Sequence, residues 1–434
     1  MEQLRSFLRS ATDALGERDF RLLWIGQTGS AIGDSLVGVA LAFAVLQLTG
    51  SASDLGLVFA AFALPRVVLM LAGGVWSDRL PRQQVMVACD LLRAGTQAVV
   101  STLLLTGNVQ LWHLAVLALV MGAADAFFTP ASTGLMPQIV SAGRLQQANA
   151  LVSISRSGAH IFGPLLSGVM VATIGTGWAF ALDGVSFLLS AAFLLQMCLP
   201  RQAVAQRRAF VTELAEGWRE VVSRSWVVAC ILTFAVSNVS LAAFQVLGPL
   251  VAQRTLGGAA AWGMIGGGAA VGGIVGGVVA LRWKPRRPLV PAFAVMLLAQ
   301  LELVLLVPPF PALVVAMGAF VTIAAIVLSN ALWETMLQQH IPRDAISRVS
   351  SYDWMVSLAL QPIALALIGP LSERFGVPQT LLACTAIGLL ANALVLLVPS
   401  VRNLPRIEAG PRARRLRPLP GSPEPADPPL APSV

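Results

Sequence analysis

Charged residues are scarce in this sequence. Asp, Glu, Lys and Arg together make up 12% of the 434 residues, whereas hydrophobic residues make up 56%. A soluble domain keeps its surface wet with roughly a quarter of its residues charged. A chain of this length with half that share is therefore not an ordinary soluble protein. The composition predicts that most of the molecular surface faces lipid.

Cysteine and histidine are also few, with four and three copies. The cysteines lie singly, at Cys89, Cys198, Cys230 and Cys384, without metal-ligand spacing or a pair that indicates a disulfide. A glycine-rich stretch at 263–277 lacks the Lys-Ser/Thr of a phosphate-binding loop. We therefore predict no metal site, no cofactor and no catalytic residue. The chain is expected to be no enzyme, and without a nucleotide site any energy for transport would come from a gradient.

Long apolar runs are what the sequence has instead. A helix needs ~20 apolar residues to cross a hydrocarbon core of ~30 Å. In lipid every backbone amide must bond within its own segment, so these runs predict helices. Acidic residues before the first run are atypical of a cleavable signal peptide, so the first helix is expected to be retained. The twelve runs are 20–49, 54–76, 84–106, 111–131, 146–173, 177–199, 225–253, 258–281, 288–307, 311–337, 348–371 and 377–399.

The cations predict how these helices are oriented. With twelve helices and both termini cytoplasmic, all but five of the 29 Lys and Arg residues lie in the inner segments, as the positive-inside rule requires. The positive charge then faces the anionic lipids of the inner leaflet, and a nucleic-acid partner becomes unnecessary. We predict a multi-pass protein of the inner (plasma) membrane. The five exceptions are Arg66, Arg93, Arg156, Arg254 and Arg374.

The chain also repeats itself. The segment 73–79 after the second run is matched by 276–282 after the eighth, about 200 positions later, and two weaker matches have a similar offset. The fold class predicted is an all-α membrane protein whose twelve transmembrane helices form two pseudo-symmetric six-helix bundles.

The connection between the halves has its own pattern. Phe210, Leu214, Trp218 and Val221 recur at helical spacing opposite charged residues, which predicts an amphipathic helix on the cytoplasmic interface. The C-terminal segment is rich in Pro and Arg and predicts disorder. The predicted organisation is a cytoplasmic N-terminus at 1–17, a six-helix bundle at 18–199, a linker at 200–224, a second bundle at 225–400 and a disordered cytoplasmic tail at 401–434.

A recognisable signature follows the second run. Gly74-Val-Trp-Ser-Asp78-Arg79-Leu-Pro81-Arg82 resembles motif A of the major facilitator superfamily, although Pro81 stands where the pattern has Gly. The resemblance implies a gating role for Gly74, Asp78, Arg79 and Arg82. These charges would hold the inner side closed while the outer side is open.

Other segments resemble the exporters of that superfamily. The fifth run looks like the Gly-Pro antiporter motif, and 125–130, 147–149 and 33–34 are similar to the macrolide-efflux and enterobactin-exporter branch. The resemblance implies proton-coupled export of a drug, a macrolide or a siderophore-like compound by alternating access. The antiporter motif comprises Gly158, Gly163, Pro164 and Gly168.

Ionisable residues within the runs are the mechanistic candidates, because each costs ~3 kcal/mol or more to insert. Asp34 lies near the middle of the first run, and we expect Arg66 to be its partner. We expect Asp125 and Arg156 to form a second pair, with His160 as a possible proton shuttle one turn further on. For each of these groups a fixed structural ion pair or hydrogen bond is the alternative.

Other residues are expected to have lesser roles. Asp90 and Arg93, three residues apart, are predicted to neutralise each other as a structural pair. Glu334 is predicted to anchor a loop through Arg343 or Arg348. Aromatic residues within the runs could line a substrate cavity, although packing is their commoner role: Phe43, Phe62, Phe127, Phe244 and Trp333.

Two other classes of function remain open at the sequence level. An uptake permease or a lysolipid flippase would use the same helical architecture. A membrane-embedded lipid transferase would need larger outer loops and clustered acidic or His residues. The partners predicted are a small-molecule substrate and the surrounding bilayer. The sequence leaves the identity of the substrate and the oligomeric state open.

Overall fold

The computed structural model describes residues 14–141, 144–198, 218–342 and 345–407, except for the side chains of 70–79, 146, 347 and 348. The described chain is helical, with short connections. We call the end of the helix bundle where the first helix begins the near end, and the opposite end the far end. Because consecutive helices are antiparallel, odd-numbered helices run from the near end to the far end.

Six helices form the first half. Helix α1 ends at Gly50, whose φ of +67° is favourable for glycine and whose amide bonds to the Leu46 carbonyl. With a rise of about 1.5 Å per residue, all six are long enough to cross a hydrocarbon core of about 30 Å. The helices are α1 Arg18–Thr49, α2 Ala52–Arg79, α3 Arg82–Leu105, α4 Leu111–Ile139, α5 Leu145–Thr173 and α6 Thr176–Leu195.

The second half contains six further helical segments, two of them interrupted. Pro362 lacks the amide that would continue the helix across Leu360, which accounts for the break in α11. In α9 the break leaves the Ala299 carbonyl to accept the Thr322 hydroxyl at 3.2 Å. The elements are α7 Ser225–Val251 with a π-helical turn Ala252–Leu256, α8 Ala259–Arg282, α9a Leu289–Leu298, α9b Leu301–Val304, α10 Ala312–His340, α11a Ile346–Ala359, α11b Gln361–Phe375, α12 Val377–Val395 and a short α13 Pro399–Arg402.

The twelve predicted helices are confirmed. Ten of the described helices are long and apolar enough to cross a membrane, and α9a with α9b forms a shorter apolar segment. Helix α5 has 29 residues, but its first half carries polar side chains. The predicted boundaries agree with the observed ones to within about four residues, except that α4 continues to Ile139, eight residues beyond its predicted end. The sequence did not predict the breaks in α9 and α11.

The two halves are built alike. In the first half α2 lies against α4, and a side chain at Gly122 would clash with the Phe62 carbonyl. In the second half α8 lies against α10, and a side chain at Gly272 would clash with the Phe320 carbonyl. The same pair of helices in each half is therefore held backbone to backbone by glycine, which fits the predicted two-bundle architecture.

Contacts between the halves are concentrated towards the far end. Helix α5 packs on α8, where a side chain at Gly263 would lie 2.8 Å from the Pro164 carbonyl oxygen. Helix α2 packs on α11b, where side chains at Gly56 and Gly369 would clash with the facing backbone. Small residues thus allow the two halves to approach closely on both sides.

Polar contacts join the halves at the same end. Glu373 of α11b accepts hydrogen bonds from the Ser51 hydroxyl at 2.9 Å and the Ser53 amide at 3.3 Å. Arg254, in the π-helical turn, donates to the Gly50 carbonyl at 3.1 Å. The hydrogen bonds described between the halves all lie at this end. The far end is therefore closed in this conformation.

The structure of the segment after α12 differs from the predicted start of the disordered tail at residue 401. Val401 is fully buried, the Arg406 amide donates to the Arg286 carbonyl at 2.8 Å, and the Ile407 amide donates to the Gln339 side chain at 3.0 Å. Residues 401–407 therefore pack on the near end of the second half, although we predicted disorder from residue 401. Most of the predicted amphipathic helix lies outside the described residues. Residues 218–222 are helical, with Val221 buried and Trp218 half exposed.

Candidate functional site

Seven Asp and Arg side chains lie away from the helix ends in the described part of the first half. Because each would be costly in hydrocarbon, they are expected to pair with one another or to face a polar space. They lie on all six helices of this half: Asp34 on α1, Arg66 on α2, Asp90 and Arg93 on α3, Asp125 on α4, Arg156 on α5 and Asp183 on α6.

Asp125 is the centre of this group. One carboxylate oxygen lies 2.9 Å from Nε of Arg66, and the other lies 3.0 Å from Nη2 of Arg93. Arg93 is almost completely buried, with its guanidinium 4.5 Å from the ring centre of Phe128 and 5.4 Å from that of Phe187. Arg66 keeps 46% of its side-chain surface exposed. The carboxylate therefore ties α2, α3 and α4 together and presents Arg66 to an open space.

These contacts correct the two pairings expected from the sequence. Arg66 binds Asp125 and not Asp34, and Asp125 binds Arg66 and Arg93 and not Arg156. The residues lie at similar depths, so sequence position alone allowed either pairing. The choice depends on how each helix is rotated about its axis.

Asp34 has a different environment. It is exposed to the space between the helices, and within the described chain it forms no hydrogen bond or ion pair. It nevertheless lies within electrostatic reach of Arg66, Arg93, Arg156 and Asp125. A carboxyl group in this setting is held near several cations without being fixed to any of them.

Arg156 and His160 lie on the same face of α5, one turn apart, and both side chains are exposed. Arg156 is within electrostatic reach of both Asp34 and His160. Neither Arg156 nor His160 forms a hydrogen bond or ion pair in the part of the chain that the structure describes. The geometry brings Arg156 towards Asp34, and the shuttle role of His160 stays a prediction.

Asp90 is buried deeper in the same half. It has no exposed surface, its nearest contact with Arg93 is 4.0 Å, and its two carboxylate oxygens lack hydrogen-bond partners among the described atoms. The predicted neutralisation by Arg93 is therefore only partial, because Asp125 holds that guanidinium at shorter range.

Sequence analysis missed Asp183. This residue is fully buried in α6 and accepts hydrogen bonds from Nε2 of Gln97 at 2.5 Å and from the Ser186 hydroxyl at 3.3 Å. Gly33 of α1 lies directly against it, so closely that a side chain there would clash with the Asp183 carboxylate. The signal was available, because a carboxylate inside an apolar run is itself a functional candidate.

The charges in this group do not balance. Four carboxyl groups face three guanidinium groups, so full ionisation leaves one negative charge in excess. An uncompensated charge is costly away from water. A proton on one of the four carboxyl groups removes the excess, and exchange of that proton is the chemistry that this arrangement favours.

The antiporter motif lies at a junction of three helices. Gly163 faces Ser35 of α1, and a side chain at Gly168 would lie 2.6 Å from the Ala259 carbonyl of α8. Pro164 packs against Gly263 of α8. Gly158 has open space around it. The motif therefore lets α5 fit between α1 and the second half.

Motif A is only partly described. The side chains of Gly74, Asp78 and Arg79 lie outside the described residues, so their predicted gating role stays a prediction. Arg82 begins α3, and its guanidinium binds the Gly134 carbonyl of α4. This contact joins two helices within one half.

The predicted cavity aromatics have mixed positions. Phe43 and Trp333 are buried, and the Trp333 indole donates to Asp353 at 2.8 Å. Phe62 and Phe244 are partly buried against the apolar core that contains Phe43. Phe127 lines a cavity of about 250 Å³ with residues of α3. Phe43 and Trp333 therefore pack in the protein interior in this conformation.

The second half has fewer charged groups. Glu302, in α9b, is 3% exposed and has no polar partner in the described chain. Asp353 accepts from Trp333 and, at 3.2 Å, from Ser357. Glu334 is exposed, and the Arg343 and Arg348 side chains with which we paired it lie outside the described residues. The concentration of charge in the first half therefore makes that half the candidate site.

Outside the membrane-spanning helices, Glu17 ties α1 to the connection between α4 and α5. The Ser141 hydroxyl donates to this carboxylate at 2.7 Å, and Arg144 lies at 3.4 Å. The hydrogen bond from Ser141, and then the charge of Arg144, lower the pKa of Glu17 below its ordinary value. This contact fixes the near end of the first half.

Comparison with known proteins agrees with this architecture. A family model described as the Major Facilitator Superfamily matches residues 23–357. The chain is 28% identical over 405 residues to the multidrug efflux pump Tap of Mycolicibacterium fortuitum, covering 88% of this chain and 96% of the pump. It is 20% identical over 381 residues to macrolide efflux protein A of Streptococcus pyogenes, covering 85% and 94%.

The fold also has solved relatives. A bacterial homologue of the human lysosomal transporter Spinster, in an inward-facing and unoccupied conformation, superposes with a TM-score of 0.67. The match covers 88% of this chain and 96% of that one at 16% identity. At this identity the likeness concerns the fold alone.

Proposed function

Because the chain belongs to the major facilitator superfamily of membrane transporters, we propose that it exports a small amphipathic compound in exchange for protons. In this proposal the two halves rock about the closely packed α5–α8 and α2–α11b contacts. In this proposal the near end faces the cytoplasm, which the distribution of cations supports. The described conformation is then closed towards the outside.

The observation that carries the proposal is the environment of Asp34. Its carboxyl group is exposed at mid-depth, unpaired in the described chain and within electrostatic reach of Arg66, Arg93, Arg156 and the like-charged Asp125. A group of this kind can take up a proton in one conformation and lose it when the cations move closer in the other. A carboxylate that already has two cationic partners, such as Asp125, is less free to bind and release a proton.

A proton gradient is a sufficient source of energy. One proton moving through 100 mV supplies about 2.3 kcal/mol, which supports roughly fiftyfold accumulation of a substrate. The direction of transport is supported by the names of two relatives, a multidrug efflux pump and a macrolide efflux protein. An amphipathic compound such as a macrolide is therefore the substrate class that we propose.

The experiment uses everted membrane vesicles energised by an imposed pH gradient, with erythromycin as the probe. Wild-type protein should accumulate erythromycin, and Asp34→Asn should not, with equal amounts of each protein in the membrane. Asp54→Asn, which removes a carboxylate near the far end of α2, is the matched control and should retain transport. Gradient-driven accumulation by Asp34→Asn at the wild-type rate would exclude Asp34 from the coupling.

A further inference from the structure

Polar side chains of α1, α3 and α6 face one another in the interior of the first half, close to Asp34. We call this set the polar column and define it as Ser30 of α1, Asp90, Arg93 and Gln97 of α3, and Asp183 and Ser190 of α6. Asp90, Arg93 and Gln97 are spaced by three and four residues, so they share one face of α3. Asp183 and Ser190 are two helical turns apart and share a face of α6.

Close packing of the three helices brings these faces together. Gly26 and Gly33 lie against Ser190 and Asp183, and Ser30 lies between the two glycines on the same face of α1. Gln97 donates to Asp183. The column therefore runs along about 10 Å of the membrane depth, from Ser190 and Asp90 to Asp183, at 1.5 Å per residue.

The near-end part of the column lacks hydrogen bonds. Five buried polar atoms have no partner in the described structure: both carboxylate oxygens of Asp90, Nε of Arg93, and the hydroxyls of Ser30 and Ser190. The Ser190 hydroxyl lies beside the Asp90 carboxyl without forming a hydrogen bond of normal geometry. Buried polar groups are rarely left without partners, and ordered water commonly supplies them.

The column is closed on one side and open on the other. Phe20, Leu23, Met86 and Leu194 are buried between it and the near end, and they form an apolar seal. Towards the interior of the bundle, Asp34 is exposed and within electrostatic reach of both Asp90 and Asp183. Asp34 therefore lies beside the column on the side away from the apolar seal, next to Gly33, which contacts Asp183.

We infer that the polar column is a second proton-binding site, in which water connects Asp34 with Asp90 and Asp90 stores the proton. The step moves one proton from the Asp34 carboxyl through water to the Asp90 carboxylate and leaves Asp34 as a carboxylate facing Arg156. This inference rests on the proposed proton coupling and adds to it a store that is separate from the substrate path.

We assign the stored proton to Asp90 because of the groups that surround this residue. The charged groups that reach it are Arg93 on its own helix and Asp34 on α1, while α6 presents the neutral Ser190 hydroxyl. Arg93 is held by Asp125 of α4 at 3.0 Å, so it compensates Asp90 only from 4.0 Å. Asp183 differs, because its carboxyl group already accepts a hydrogen bond from Gln97, whereas neither carboxylate oxygen of Asp90 has a partner in the described chain.

The test is infrared spectroscopy of the purified full-length protein, following the carbonyl stretch of protonated carboxyl groups in water and in D2O. Wild-type protein should show a band that moves on transfer to D2O, and Asp90→Asn should lose this band. In Asp34→Asn the band should remain, but its shift after transfer to D2O should take longer, because the group through which we propose the proton reaches the column is changed. Ser190→Ala, a milder change, should shift its frequency.

Glu302→Gln is the matched control, because Glu302 is a buried carboxyl group in the other half. It should remove a different component and leave the exchange of the Asp90 band unchanged. Retention of the exchanging band in Asp90→Asn, or its loss in Glu302→Gln, would overturn the inference. The measurement needs neither substrate nor gradient, so it can fail while Asp34-dependent export stands, and it can succeed if export proves not to be proton-coupled.

Discussion

Asp125 has one carboxylate and two cationic partners, on three different helices. Removal of one member of a buried ionic group costs roughly 3 to 5 kcal/mol when the remaining charge is left without compensation. Asp34, by contrast, is exposed and has no partner in the described chain. The two carboxyl groups are therefore expected to differ in what they contribute to stability and to transport.

We predict that Asp125→Asn lowers the thermal stability of the purified protein, because Arg66 and Arg93 then lose the carboxylate that lies about 3 Å from each of them. Asp34→Asn should leave the melting temperature close to that of the wild type while it abolishes coupling. Thermal unfolding of both variants in the same detergent checks this. Equal destabilisation by the two substitutions would contradict the different roles assigned to them.

Glu17 allows a prediction of pH dependence outside the membrane. Its pKa is lowered in the folded protein, so its contacts stabilise the fold above the pKa of the unfolded chain, ordinarily about 4.3. This contribution is lost as the pH falls through the lower, folded pKa. Because the side chain is close to water, the effect should be under about 1 kcal/mol.

The measurement compares unfolding of the wild type with that of Glu17→Gln across this range. The wild type should be the more stable at pH 7, and the difference should shrink as the pH falls below about 4.3 and vanish below the lower, folded pKa. A difference of the same size at both pH values would mean that the contact acts through packing and not through charge.

Positions in the sequence indicated how deep in the membrane each charged residue lies, but not which residues form ion pairs. The sequence placed Asp34, Arg66, Asp125 and Arg156 near the middle of their helices, and the structure agrees. The pairing depends on helix rotation and on the tilt between helices, which hydropathy does not encode. The polar column was missed for the same reason, since its members are far apart in the chain.

At the scale of helices, glycine sets how closely the halves approach. Gly263 of α8 faces the backbone of Pro164 and Gly168 at about 3 Å, so a larger side chain must push α5 away. We predict that Gly263→Val favours opening of the far end. Gly277 lies on the same helix with open space around it, and Gly277→Val is the matched control.

The reporter for this prediction is a cysteine at Gly38, which lies on an open part of α1. In right-side-out vesicles, labelling of Gly38→Cys by an impermeant maleimide should be faster in the Gly263→Val background than in the Gly277→Val background. Equal labelling rates would show that α5–α8 packing does not control the far end.

The elements themselves were largely predictable. Continuous apolar runs gave twelve helices, because a lipid environment leaves the backbone few alternatives. The break in α11 had a visible cause in Pro362, whereas the break in α9 has no comparable signal in its sequence. The packing of residues 401–407 was missed because a short apolar residue such as Val401 carries little weight within a polar tail.

At the scale of the whole molecule, the contacts at the far end define one conformation. The Ser51 hydroxyl and the Glu373 carboxylate meet there across the two halves at 2.9 Å. Alternating access requires this contact to break when the far end opens. The structure therefore identifies a pair whose separation should change during each transport cycle.

We predict that the double variant Ser51→Cys with Glu373→Cys stops transport when a disulfide or a short bifunctional reagent links the two cysteines. Reduction of the disulfide should restore it. The control is Ser225→Cys with Ser400→Cys, whose hydroxyls are 3.0 Å apart within one half. A link there should leave transport intact, and undiminished transport by the linked Ser51–Glu373 pair would exclude opening at the far end.

The most direct test of proton-coupled exchange uses a gradient of erythromycin to drive protons. Proteoliposomes are loaded with erythromycin and diluted without any imposed pH gradient, and the internal pH is followed with a trapped dye. Proton-coupled exchange predicts that efflux of erythromycin drives protons in the opposite direction through the wild type and not through Asp34→Asn. Efflux through the wild type with no accompanying proton movement would contradict proton-coupled exchange.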